Sequence, residues 1–172
     1  NYFVTVDPAI STEKEADFTA MIVRGIDQWG SIYVRDIVRV KVLPQELIEI
    51  LFRLAEMYHP KAIGIEDVAY QKALGYSVKE EMRKRGKYLN IVPVKPQNRS
   101  KDERIRGLQP LYASGKVFHR RELPNTRYLE DEFMRFPRGS HDDCMDALSY
   151  TLDLLVKPKP RRLSNHSRPF LY

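Results

Sequence analysis

The sequence predicts an α/β fold: a mixed five-stranded sheet, three antiparallel strands then two parallel, with helices on both faces. Three observations carry this. Three short segments rich in β-branched and aromatic residues open the chain (2–7, 17–25 and 31–42), with no helical pattern between them. A three-to-four-spaced apolar pattern begins at Pro44. Two short apolar runs (62–66 and 90–94) then each follow a helical stretch, which is how a chain returns to lay a strand parallel to an earlier one.

The elements follow in order. Residues 2–7, YFVTVD, read as a buried strand closed by Asp7-Pro8. Residues 8–16 form a polar loop, and Asp17–Gly25 is the second strand, with Asp17 at its mouth as a structural residue or, alternatively, a support behind a metal ligand. A turn containing Gly30 leads to the alternating third strand, Ser31–Val42. Pro44 suits the first turn of a helix, where its missing N–H costs nothing. Leu47, Ile48, Leu51, Leu54 and Ala55 mark that helix's inner face, and His59-Pro60 ends it. Ala62–Glu66 is the fourth strand, Val68–Arg85 a second helix ended by Gly86, and Asn90–Val94 the fifth strand. A basic helix spans 100–114. Residues 116–119 are a candidate small extra strand. Residues 129–136 read as helical, and Ser140–Val156 as the final helix, capped by Ser140 or His141.

Lysine and arginine number 29 against 23 acids, a net charge of +6, which favours polyanionic partners. Part of the surplus lies in residues 157–172, which hold three prolines and five basic residues and read as a basic arm or as a plain terminal tail. Cys144 is the single cysteine, so no intrachain disulfide forms. No apolar run is long enough to span a membrane. The chain starts at Asn1 and enters a strand at once, which suggests a fragment of a longer polypeptide.

The acids are placed where an α/β sheet presents ligand sites, at the ends of parallel strands. Asp7 closes the first strand, and Glu66 and Asp67 close the fourth. Neighbours at a strand end point opposite ways, so Glu66 is the expected ligand and Asp67 the expected helix cap. Asp142, Asp143 and Asp146 crowd the start of the last helix, where Asp143 and Asp146 share a face. Asp146 lies among Met145, Ala147 and Leu148, so its carboxylate needs a partner. Asp142 is open between metal ligand and first-turn acid favoured by the helix dipole, and Asp7 has the alternative of an Asx turn before Pro8. Carboxylates gathered this closely call for a hard cation, Mg²⁺ or Mn²⁺, and two such ions can hydrolyse a phosphodiester.

The chain resembles the C-terminal nuclease domain of tailed-bacteriophage large terminases, which have the ribonuclease H-like fold. The resemblance covers residues 2–156. It rests on FVTVDPA (3–9), DFTA (17–20), IEDVAYQ (65–71), KDERI (101–105), GKV (115–117), FP (136–137) and HDDCMDAL (141–148). It implies a metal-dependent endonuclease, in domain 1–156, that cuts concatemeric viral DNA during packaging in the cytoplasm of an infected bacterium. It also implies two Mg²⁺ or Mn²⁺ ions held by Asp7, Glu66, Asp143 and Asp146, with Asp142 less certain, and catalysis through Asp7, Glu66 and Asp143. The implied partners are double-stranded DNA, an N-terminal ATPase domain of the same polypeptide, and a portal and small terminase subunit; no membrane is involved. No GxxxxGK[ST] phosphate loop occurs in this chain.

Arg99, Lys101, Arg104, Arg120 and Arg121 are candidate DNA-backbone contacts, with a solvated basic face as the alternative. Tyr70 and Gln71 follow the acid pair, where they are placed to steady a ligand or meet DNA. The aromatics look scattered, without a stacking platform for single strands. Rival readings are another nuclease of this fold (resolvase, transposase or ribonuclease H type), a non-catalytic DNA-binding or assembly module, and a sugar-kinase-like ATPase. The last wants glycines after the first-strand acid, where this chain has Pro8-Ala9.

Overall fold

The computed structural model describes residues 1–9, 18–70, 74–95, 99–139 and 141–155. Its six strands are β1 (Tyr2–Asp7), β2 (Thr19–Ile26), β3 (Ile32–Val40), β4 (Ile63–Glu66), β5 (Ile91–Val94) and β6 (Val117–His119). They lie in the spatial order β5-β4-β1-β2-β3-β6. β1, β2 and β3 pair antiparallel, while β4 adds to β1 and β5 to β4 in parallel. The sixth strand is the 116–119 segment. It pairs parallel to the start of β3, and the Ile32 N–H donates to the Lys116 carbonyl at 2.7 Å. Among the described residues the sheet therefore has six strands where five were expected.

Strand alternation sends side chains to two cores. Val4, Val6, Met21, Val23, Ile63 and Ile65 pack with α1 (Pro44–Tyr58) and α3 (Gly75–Arg85). On the other face, Ala20, Ile22, Val34 and Ile37 pack against α4 (Lys101–Arg106), α6 (Thr126–Arg135) and α7 (Asp143–Ser149). Thr5 and Asp7 alternate with Val4 and Val6, so they point to the α7 side. Asp17, Gln71, Ser140 and the 157–172 tail, on which sequence expectations also fell, lie outside the described residues.

Three expected helices are subdivided. The 68–85 pattern contains a short turn, α2 (Asp67–Ala69), and then α3. The 100–114 pattern splits into α4 and α5 (Gln109–Ala113), because Pro110 has no N–H to donate and must sit in a first turn. The last helix splits at Tyr150 into α7 and α8 (Thr151–Leu155). Two glycines let α8 press onto its neighbours. A Cβ at Gly64 would stand 2.8 Å from Leu154 Cδ1, and one at Gly107 would stand 2.8 Å from Leu152 Cδ1. Among the described residues no helix is long and apolar enough to cross a membrane.

Candidate active site

The register places the first two acids together. β1 and β4 are parallel neighbours with Val6 beside Ile65, so Asp7 and Glu66 end adjacent strands at the same edge. The first turn of α7 lies over that edge with Asp143 and Asp146. The grouping shows in the electrostatics of Asp7, whose carboxyl is pushed up to about 7. Burial is the main cause; the charges of Asp146, Glu66 and Asp143 add to it, and Lys101 opposes them. Four of the five predicted acids thus share one local field. Asp142 sits at the rim, in the N-cap position of α7.

Cations hold these acids. Asp146 is only 4% exposed. Its Oδ1 accepts from Arg104 Nη2 at 2.6 Å and from Ser149 Oγ at 3.2 Å. Lys101 Nζ donates to Asp142 Oδ1 at 2.7 Å and lies 3.5 Å from Asp146 Oδ2. Arg39 Nη2 donates to Asp143 Oδ2 at 3.3 Å. The Arg39 guanidinium lies 3.6 Å from the Phe18 ring centroid and 5.3 Å from that of Tyr128, which fixes its plane. Burial raises Asp143, while Arg39, His141 and Lys101 pull it back.

Behind Arg39 stands a buried acid that sequence reasoning missed, Glu132 of α6. Its Oε2 accepts from the Met145 N–H at 2.9 Å, and its Oε1 lies 3.9 Å from Arg39 Nε. Burial pushes it up to about 7. This carboxylate satisfies an orphan donor at the start of α7. Asp142 occupies the N-cap without a side-chain capping bond, which corrects the expectation that Ser140 or His141 caps the helix. Glu132 was detectable as an acid on the apolar stripe of Leu129, Phe133 and Phe136. Arg39 and Tyr150 were also missed. Arg39 lies level with Asp7 across the sheet, since Asp7 pairs with Ala20 and Ala20 with Arg39. The buried Tyr150 phenol feels Asp7, Asp146 and Glu66, and burial together with those charges pushes it well up.

A second correction concerns Asp67. It is the first residue of α2, with Glu66 in the cap position, and its carboxylate lies 3.6 Å from Lys95 Nζ. The predicted basic residues fall into two groups. Arg99, paired with Asp153, Lys101 and Arg104 line the acid side. Arg104 is buried against Asp146, so its guanidinium faces a carboxylate rather than solvent. Arg120, 3.5 Å from Glu122, and Arg121 are exposed at the opposite edge of the sheet, just past β6.

The donor set is oxygen-only and anionic, which suits Mg²⁺ or Mn²⁺. Burial, with the nearby charges of Asp146, Glu66 and Asp143 added to it, favours the protonated form of Asp7. Among the described residues, no three acid, histidine or cysteine side chains already converge as a finished metal cage. The chemistry of the donor set therefore fits a hard cation.

Solved structures share this fold. The fowlpox virus resolvase in complex with Holliday junction DNA superposes with a TM-score of 0.53 at 12% identity, over 88% of this chain and 97% of that one. RuvC of Thermus thermophilus gives 0.51 at 15%, over 90% and 96%. The HK97 bacteriophage large terminase gives 0.49 at 11%, over 69% of this chain and 29% of that one. This chain thus matches under a third of that terminase. No curated protein sequence matches. The fold is the ribonuclease H-like mixed sheet that these resolvases share. From residue 4 to residue 155 the sequence matches the model of the Terminase RNaseH-like domain, and the chain belongs to that family.

Proposed function

We propose that this domain is a divalent-metal-dependent endonuclease that cuts concatemeric viral DNA during genome packaging. The observation that carries the reading is the shared field of Asp7, Glu66, Asp143 and Asp146 at one sheet edge. Family membership supplies the packaging context. Asp7, Glu66, Asp143 and Asp146 would hold two Mg²⁺ or Mn²⁺ ions, with Asp142 at the rim. Ions bound there would supply Lewis acidity and an activated water for phosphodiester hydrolysis.

The chain's own residues do the rest. Glu132 and Arg39 fix the start of α7 and the orientation of Asp143. Arg104 and Ser149 hold Asp146 from the buried side. Lys101, whose side chain is 41% exposed, is the cation at the mouth and is placed to meet a backbone phosphate once Asp142 and Asp146 turn to metal. Arg99 extends that basic rim. The full assembly would bring an ATPase domain of the same polypeptide, a portal and a small subunit, in the cytoplasm of an infected bacterium.

The test is cleavage of supercoiled plasmid with Mn²⁺, Mg²⁺ or EDTA, beside Asp143→Asn and beside a four-way junction substrate. Metal-dependent nicking and linearisation that the variant loses is the expected result. Cutting confined to the junction would replace the packaging reading with a resolvase, and activity that persists in the variant would remove Asp143 from the site.

A further inference from the structure

The edge of the sheet far from the acids carries a second feature. Tyr33 and Phe118 are 85 residues apart, yet they are direct partners in the parallel β3–β6 register. Their rings stack with centroids 5.0 Å apart at 12°. α1 and α3 cover the central strands of that face and leave this edge open, so Tyr33 is 38% and Phe118 46% exposed. Their neighbours Ile32 and Val34 point the other way into the core.

The stacked pair stands in a shallow concavity of about 410 Å³ that it lines together with Arg35, Arg120, Arg121 and Glu122. Glu122 is the acid there and faces Arg120 at 3.5 Å. Among the described residues, Arg35 and Arg121 have no carboxylate partner. Two contacts tie the neighbouring turn to this surface. Tyr33 Oη donates to Asp27 Oδ2 at 3.2 Å, and Lys116 Nζ donates to the Trp29 carbonyl at 3.4 Å. Trp29 itself is 72% exposed.

We propose that this concavity binds a single-stranded segment of nucleic acid, outside the cutting site. Open ring faces stack on bases whose own faces are unpaired, and unpaired arginines beside them meet the phosphates. A duplex offers the phosphates but hides the base faces, and an acidic protein partner would leave the stacked rings without a role. The inference deepens the nuclease reading, because it gives the domain a hold on a strand away from the scissile bond. It stands on binding, however, and not on cleavage.

The experiment is fluorescence anisotropy of labelled oligothymidine and of a duplex of the same length, in EDTA so that nothing is cut. Wild type is compared with Phe118→Ala, Phe118→Leu, Tyr33→Leu and Arg121→Ala. Phe118→Leu keeps apolar volume at the edge should the alanine variant misfold, and thermal melting checks every variant. Loss of either ring is expected to weaken oligothymidine binding about tenfold while duplex binding changes little. Arg121→Ala is expected to lower the salt slope of single-strand binding by about 0.7.

Unchanged oligothymidine affinity in the ring variants would overturn the proposal. Equal losses for single strand and duplex would also overturn it, by reducing the surface to plain electrostatics. Self-association that the ring variants abolish, with DNA binding intact, would assign the face to a second copy of the chain instead. A protein that grips oligothymidine through Phe118 but cuts no plasmid would fail the nuclease reading alone. One that cuts plasmid while its ring variants bind normally would fail this proposal alone.

Discussion

β1 and β2 bury unbalanced charge in two places, and the two are opposite in kind. At the end of β1 the acids crowd, and burial, with their charges added to it, pushes Asp7 up to about 7. Two residues earlier on the same strand, Thr5 meets Arg24, which is 0% exposed. Arg24 Nη1 donates to Thr5 Oγ1 at 3.0 Å and the guanidinium lies 5.6 Å from the Phe3 ring centroid, but among the described residues its Nε and Nη2 have no acceptor. Burial alone pulls it down to about 9. The difference is access. The acids sit where strands end, beside Lys101 and Asp142, whose side chains are 41% and 37% exposed. Arg24 is sealed in mid-strand. Unbalanced charge marks a binding site only where a counter-ion can enter.

The sharpest way to break the comparison is to remove an acid. Asp143→Asn or Asp7→Asn is expected to lower plasmid cleavage more than 100-fold, because losing a residue that merely supports a metal ligand already costs about 10–100-fold. Combining the two should cost little more than either, since they serve one site. A double variant whose loss is the product of the two single losses would mean that the acids act separately.

The same imbalance predicts an inverted pH dependence of stability in EDTA. Folded Asp7 keeps its proton to about pH 7, whereas an unfolded aspartate loses it near 3.9. Between those values the folded chain holds the extra proton, so Asp7 makes stability fall as pH rises, by about 1.4 kcal/mol per unit at most. Asp7→Asn should flatten that slope in urea denaturation and be the more stable protein at pH 8. Mn²⁺ should restore wild type at pH 8 more than at pH 6. Parallel slopes for the two proteins would mean that folding does not raise the proton affinity of Asp7.

Glu132 separates positioning from ligation. Glu132→Gln keeps an acceptor for the Met145 N–H but drops the charge that faces Arg39. Arg39 then turns more fully to Asp143 and competes with metal there. Calorimetric Mn²⁺ affinity is expected to fall about tenfold, within the range for such supporting partners, with thermal stability nearly unchanged. Tighter Mn²⁺ binding would show that Glu132 does not restrain Arg39.

Much of the acid site was legible because its signals are local. Asp7 and Glu66 stand at strand ends marked by short apolar runs, and Asp143 and Asp146 stand at a helix start. What stayed hidden depends on long-range pairing. Arg39 sits in an alternating strand, where a charge reads as solvent-facing until the β2–β3 register sets it level with Asp7. Arg104 reads as part of a wet basic helix until α4 is laid beside α7. β6 has only three residues, too few for a periodic signal, and its partner lies 85 residues earlier in the chain. With β6 uncertain, the Tyr33–Phe118 pair could not be seen, and the aromatics looked scattered. The break at Pro110 was readable, since proline's missing N–H is a local fact.

The smallest expected effect tests the other half of the comparison. If Arg24 is a sealed charge without function, replacing it with an apolar side chain of similar length should relieve its desolvation. Arg24→Met removes a cation whose Nε and Nη2 have no acceptor among the described residues, and takes from the Thr5 hydroxyl the bond it accepts from Arg24. Exchanging buried charge for packed apolar volume is neutral or stabilising in comparable cores, so a gain of about 1 kcal/mol in urea denaturation is expected. Thr5→Val in the same background should add a few tenths more by clearing that hydroxyl. Cleavage should stay within about twofold of wild type, because Arg24 hydrogen-bonds to Thr5 rather than to one of the clustered acids. A large loss of stability would mean that the guanidinium's contacts with Thr5 and the Phe3 ring outweigh its burial. A loss of cleavage with stability intact would make Arg24 part of the site and erase the distinction between the two charges.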